Sequence, residues 1–209
     1  MILKTSKGGR SLLHTIRLEI SKSQEILLYL PCEKQDVVFL TDVSLKYWRD
    51  GKMICDLFVH DFFIEAVKQL YNLLTKALNN ELQLKSDFVE KGIGFYHNIY
   101  MHELWTTDNS DRSDPAEEFL LWSSHTEVSN ETFIYNIEDK IYLEISPFYK
   151  WDSDYPDDET EYQTFEEYVL QYQMIDLIHI EQDTAKQWQK ILHELLKITQ
   201  TNESLYRKN

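Results

Sequence analysis

Apolar and polar positions alternate along most of the chain with the period of a strand, and twice switch to the period of a helix. Ile16, Leu18 and Ile20 alternate with Arg17 and Glu19, the pattern of a strand buried on one face. Glu25–Leu30, closed by Pro31, and Val37–Leu40 repeat it. Val43, Leu45 and Tyr47 then alternate into Arg49-Asp50-Gly51-Lys52, and Met53–Val59 runs back. Asp-Gly supplies the positive φ angles of a tight turn, so this is the clearest predicted hairpin. From Asp61 to Leu78 the apolar residues Phe63, Ala66, Val67, Leu70, Leu74, Ala77 and Leu78 follow helical spacing. Asp61 is placed to cap that helix, and Asn79-Asn80 to end it in a left-handed turn.

The second half begins with Phe95–Trp105, which reads as an aromatic strand, and a polar loop, Thr106–Asp114. Asp114-Pro115-Ala-Glu117 looks like a short helical start with Pro at the first position. Phe119–Trp122 leads to a hairpin, Thr132–Ile137 and Lys140–Ser146, turning at Glu138-Asp139 and ended by Pro147. After an acidic loop, Asp152–Glu161, the capping box Thr164-Phe-Glu-Glu167 starts a short helix through Tyr172. Ile175–Ile180 is a strand, and Asp183–Thr199 a helix buried along Ala185, Trp188, Ile191, Leu192, Leu195 and Ile198.

Two stretches echo each other: Asp56-Leu-Phe-Val59 before the first helix and Asp176-Leu-Ile-His179 before the last, each after a hairpin. Duplicated halves, about 10–90 and 91–200, and convergence on a common supersecondary pattern both fit. The expected architecture is one α+β domain over residues 1–209, mostly antiparallel sheet with helices packed on one face, with two β-rich halves each closing on a helix.

Charge changes the picture more than composition does. Residues 101–183 hold 22 of the 36 carboxylates but only three basic groups, Arg112, Lys140 and Lys150, a local charge of −19 in a chain of −15. Such a field attracts cations and basic surfaces and repels nucleic acid and anionic membrane. The only basic cluster, Lys4, Lys7, Arg10, Arg17 and Lys22, is thin for a phosphate-binding face. Apolar residues make up 43% of the chain and aromatics 13%, enough for a core and too many for a disordered acidic tail. The N-terminal residues have charge without a following apolar stretch, unlike a secretory signal, and no apolar run is long enough for a membrane span. Cys32 and Cys55 lack metal or redox spacing; reduced core thiols in a cytoplasmic protein are the simplest reading, and a disulfide between them is the alternative.

Catalytic patterns are missing. His102-Glu103-Leu-Trp-Thr and His193-Glu194-Leu-Leu-Lys start like a zinc-protease helix but lack its second His, and on a strand His97 and His102 point to opposite sides. Neither cysteine has a basic neighbour to activate it, and no Gly-x-Ser-x-Gly elbow occurs. Gly92-Ile-Gly94 precedes a predicted strand, the wrong place for a dinucleotide fingerprint. With 22 carboxylates in 83 residues, pairs at any spacing arise by chance and single out no acid–base couple. The expectation is a non-catalytic chain with no metal and no cofactor.

The densest acidic run, Asp152-Ser-Asp154-Tyr155-Pro-Asp157-Asp158-Glu159, lacks the glycine and spacing of a calcium loop. A solvated loop and a docking loop for a basic protein both fit it. Interleaved aromatics, Trp151, Tyr155, Tyr162, Phe165 and Tyr168, supply anchors for the second reading, which makes Trp151, Asp152, Asp154, Tyr155, Asp157, Asp158, Glu159 and Glu161 the candidate partner-binding residues. In its acidic window 101–183, the stretch Trp151–Glu167, and its β-rich halves closing on helices 61–78 and 183–199, the chain resembles the immunity proteins of bacterial toxin systems. That resemblance implies an intracellular inhibitor that blocks a basic toxin through opposite charge. The competing classes are a phage- or plasmid-type nucleic-acid mimic and an enzyme acting on a small cationic substrate. A deep pocket of converging groups would favour the enzyme.

Overall fold

The computed structural model describes residues 14–107, 113–126, 128–150 and 162–206. They form an α+β fold with two four-stranded antiparallel sheets. The first is a meander of β1 (His14–Glu19), β2 (Gln24–Leu30), β3 (Asp42–Arg49) and β4 (Lys52–Phe62). Its register sets Leu18, Ile26, Tyr47 and Cys55 side by side across all four strands, and all four are buried. The alternation read from the sequence is thus one inward row per strand. The Asp50-Gly51 turn has φ of 53° and 72°, as the tight hairpin requires.

Helix α1 (Phe63–Leu78) leaves β4 without a break, and Asp61 does not cap it. The amides of Phe63 and Ile64 donate instead to the carbonyls of Thr41 and Phe39. This explains why Val37–Leu40, predicted as a strand, is a loop after a single 3-10 turn at Lys34–Asp36. Its carbonyls end α1's orphan donors, and Asn202 and Glu203 hold it by hydrogen bonds to Val37 O and Phe39 N. Val37 is fully buried, which produced the strand-like pattern. Asn80, at φ 61°, ends α1 in the expected left-handed turn.

Helix α2 (Ile93–Thr106) connects to the second meander, β5 (Leu120–Ser124), β6 (Asn130–Ile137), β7 (Lys140–Pro147) and β8 (Asp176–Ile180), with α3 (Phe165–Gln171) between β7 and β8. The capping box at Thr164 and Glu167 forms as predicted. The predicted helical start at Asp114 is a turn, in which Asp114 Oδ1 accepts from Ala116 N rather than opening a helix. Helix α4 (Gln182–Tyr206) runs seven residues beyond Thr199, and the added turns carry Asn202 and Glu203, which hold the 35–39 loop.

Each meander is therefore followed by a helix, and Asp56 and Asp176 both lie on fourth strands. The helices are tied across: Asn136 and Trp122 of the second sheet donate to Ala77 O and Ala66 O of α1, and Trp188 of α4 donates to Glu19 O of the first sheet. Asp176 accepts from Tyr47 and Arg49, joining β8 to β3. A single apolar core runs through both sheets and between α1 and α4. Successive β6 side chains face opposite ways, so Asn136 meets α1 while Tyr135 turns to the α2 side. The second sheet is covered on both faces, and its α2 side carries Glu131 and Glu144 among the rings of Phe133 and Tyr135.

Candidate functional site

Residues 93–106 form a helix where an aromatic strand is predicted. Two features hold it. The carboxylate of Glu144, on β7 and fully buried, accepts from the amides of Ile93 (3.0 Å) and Gly94 (2.8 Å), filling two vacancies of the helix's first turn. Asn98 then donates to Gly94 O and Pro147 O and accepts from Tyr149 N, fastening α2 to the chain leaving β7. Aromatic content without an apolar stripe looks like a strand, but here it reflects a helix contacted on several sides.

Gly92 and Gly94 are the glycines this contact requires. A Cβ at Gly92, where φ is 80°, would stand 2.6–2.7 Å from the Glu144 carboxyl atoms; one at Gly94 would stand 2.6 Å from Ser146 Oγ. Tyr135 Oη and Ser146 Oγ donate to the same carboxylate, each at 2.7 Å, and Tyr172 donates to Ser146. Burial pushes the Glu144 carboxyl above its usual range, and these donors pull it part of the way back.

One turn along α2, His97 lies between two carboxylates. Its Nδ1 is 2.9 Å from Asp114 and its Nε2 is 2.9 Å from Glu131, and the ring and Glu131 are both buried. Burial opposes the charged ring, but the two acids outweigh it and lift its pKa from 6.5 to about 9. Both ring nitrogens then donate, so His97 is a charged strut between α2, the Asp114 turn and β6. His102, five residues on, stacks on Phe165 at 3.8 Å. Among the described residues no group of three or more His, Cys, Asp or Glu could hold a metal ion.

Beside this strut opens a cleft of about 540 Å³, lined among others by Glu131, Ser129, Lys150, Trp105 and Phe148. Phe148 is its centre: the rings of Trp105 and His125 meet it edge-on at 5.8 and 5.7 Å, and its amide donates to Ser129 O. No sequence motif marks this group. The available signal was a glutamate within each apolar strand run, Glu131 in Asn-Glu-Thr-Phe-Ile-Tyr and Glu144 in Ile-Tyr-Leu-Glu-Ile, where a solvated carboxylate has no place.

The predicted partner-binding residues, Trp151, Asp152, Asp154, Tyr155, Asp157, Asp158, Glu159 and Glu161, lie outside the described residues. Of the aromatics that flank them, Tyr168 is buried with its hydroxyl on Pro147 O, and Phe165 is packed on His102, so these two are internal contacts rather than exposed anchors; Tyr162 is exposed. Both cysteines are free thiols. Burial, with Asp56 and Asp176 nearby, pushes Cys55 up to about 12, which keeps it an inert core thiol.

No described helix is long and apolar enough to cross a membrane. Comparison of the chain with protein families, with curated proteins and with solved structures finds no match.

Proposed function

We propose that this chain is a non-catalytic, acidic protein-binding domain of the immunity type, acting in the bacterial cytoplasm to neutralise a basic toxin or effector. The observation that carries the reading is the segregation of charge, 22 acidic against three basic groups in residues 101–183. Opposite charge speeds the encounter of two proteins by orders of magnitude at low salt. Glu117, Glu118, Glu138, Asp139, Glu166, Glu167 and Asp183 of this window are exposed, in keeping with a surface that offers carboxylates to a partner. Glu131 and Glu144 are withdrawn into the interior and contribute nothing to that encounter directly.

The test is capture of the partner from the native cell, followed by association kinetics at several salt concentrations. A basic partner is expected, with an on-rate that falls steeply with salt, since screening acts over about 8 Å at physiological ionic strength. Replacing Asp152, Asp154, Asp157 and Asp158 together by Asn should slow association and flatten that dependence. A partner without a basic surface, or an on-rate indifferent to both salt and the fourfold change, removes the reading. Binding to the nucleic-acid groove of a DNA-handling enzyme would favour the mimic instead.

A further inference from the structure

One corner of the molecule carries more apolar side chains than the core takes in. The run Val37-Val38-Phe39-Leu40, predicted as a strand, lies against the run Phe62-Phe63-Ile64 that opens α1. Their backbones are bonded: Phe63 N donates to Thr41 O at 2.8 Å and Ile64 N to Phe39 O at 3.1 Å. Of these seven residues only Val37 and Phe63 are buried. Leu40 is 65% and Phe62 44% exposed, and the other three are half-buried. We infer that this corner docks a segment of a protein partner that carries both apolar and basic side chains.

The fold presents the corner in a fixed shape. Between the pairs Leu45–Phe58 and Val43–Asp61, β4 has one residue more than β3, and within this bulge His60 takes φ 53°. A bulge re-aims the side chains around it. His60, Asp61 and Phe62 are accordingly all exposed, where regular alternation would turn at least one of them inward. On the other side, Asn202 donates to Val37 O and Glu203 accepts from Phe39 N, which ties the 37–40 loop to α4. A surface already held in place loses little freedom when it binds.

Charge selects the occupant. Asp36, Asp42, Asp61 and Glu65 flank the apolar runs and are exposed. Among the described residues no Lys or Arg pairs with them; His60, 3.4 Å from Asp42, is the one base that does. An anionic segment would meet these carboxylates and find the leading amides of α1 taken by Thr41 and Phe39. A second copy of the chain, docked by the same face, would set the carboxylates against their own kind. Leu or Phe side chains between Lys or Arg suit both the apolar patch and its rim. The corner lies outside residues 101–183, so the inference does not rest on the immunity reading.

The probe is a short amphipathic peptide of Leu and Lys, titrated while the amide resonances of the protein are followed. Two control peptides carry Glu in place of Lys, or Ser in place of Leu. Saturable binding of the Leu/Lys peptide alone is expected, with shifts concentrated at residues 38–42 and 60–65. Leu40→Ser combined with Phe62→Ser should weaken it about tenfold, the equivalent of ~1.4 kcal/mol. Asp42→Asn combined with Asp61→Asn should weaken it too and flatten its salt dependence. The second pair keeps the shape of both side chains, so it stands even where the first disturbs the loop.

Binding that ignores both pairs of substitutions, or equal binding of the Ser/Lys peptide, assigns the contact to the acidic surface at large and overturns the inference. Self-association of the protein that Leu40→Ser with Phe62→Ser abolishes makes a second copy the occupant and overturns it as well. Changing Asp152, Asp154, Asp157 and Asp158 to Asn should leave the shifts at this corner in place, so failure of one reading leaves the other standing.

Discussion

Replacing Glu144 by Ala removes the acceptor for four donors at once: the amides of Ile93 and Gly94 and the hydroxyls of Tyr135 and Ser146. The hydroxyls can turn, and Ser146 already accepts from Tyr172. The two amides cannot, because they are fixed in the first turn of α2 and buried. A buried donor left unpaired costs about 1–3 kcal/mol, so the two amides together set a loss of roughly 3–5 kcal/mol once the vacated volume is added. In a chain of 209 residues each kcal/mol is worth about 2–4 °C, giving a fall in Tm of about 6–20 °C. Urea unfolding followed by circular dichroism, with the m-value checked for constancy, measures it directly.

The isosteric Glu144→Gln separates hydrogen bonding from charge. Its amide keeps one acceptor but turns an NH₂ toward a donor, so it should also destabilise, by less than Ala. Burial raises the folded pKa of Glu144 above its unfolded value. For such a group stability is fully present below the unfolded pKa and is lost as pH rises through the folded one. The wild type should therefore lose stability above the ordinary carboxylate range where Gln does not, and the gap between them should narrow as pH increases. An Ala variant within about 1 kcal/mol of wild type would refute the account of Glu144 as a buried cap, since it leaves the amide pairing without energetic weight, whereas a gap that widens with pH would refute the raised pKa and show that the four donors outweigh burial.

Gly94→Ala should destabilise by about 1–3 kcal/mol, because its Cβ would meet Ser146 and the Glu144 carboxylate and push α2 from the sheet; calorimetry checks it, and wild-type stability would show that α2 can shift freely. His97 should titrate near 9 by NMR, against 6.5 in the unfolded chain. Its ion pairs then contribute ~3 kcal/mol that is complete below pH 6.5 and lost as pH rises through 9, a slope that His97→Gln should abolish.

The first sheet was legible almost residue by residue, because one of its faces is buried and the other is not; Leu18, Ile26, Tyr47 and Cys55 stand in the register that strict alternation implies. Helices α1 and α4 were legible for the same reason, each having a single apolar stripe. The misreadings fall where a side chain from a distant element replaces a local signal. α2 has no polar N-cap of its own, since Gly92 occupies that position and the acceptor arrives from β7 fifty residues later. The 37–40 loop looked like a strand because Val37 is buried, although its backbone partners are on α1 and α4. Helix and strand periods are statements about one buried face, and they fail for elements covered on several sides.

The acidic window illustrates a second limit. Counting 22 carboxylates in 83 residues makes each seem interchangeable, yet the fold sorts them by the company they keep. Those in loops and helix starts, such as Glu117, Glu138 and Glu166, remain in water. Glu131 and Glu144, on the adjacent buried strands β6 and β7, are carried inside, where an unpaired charge would be prohibitive. Each therefore needs donors from elsewhere, and α2 provides both sets: its N-terminal amides for Glu144 and, one turn on, His97 for Glu131. The same helix then contributes Trp105 to the cleft that Glu131 also lines, so the buried charges that fix α2 also position that ring. A substitution that releases either glutamate should thus disturb the cleft through α2, whereas a change on the exposed acidic surface should leave it intact.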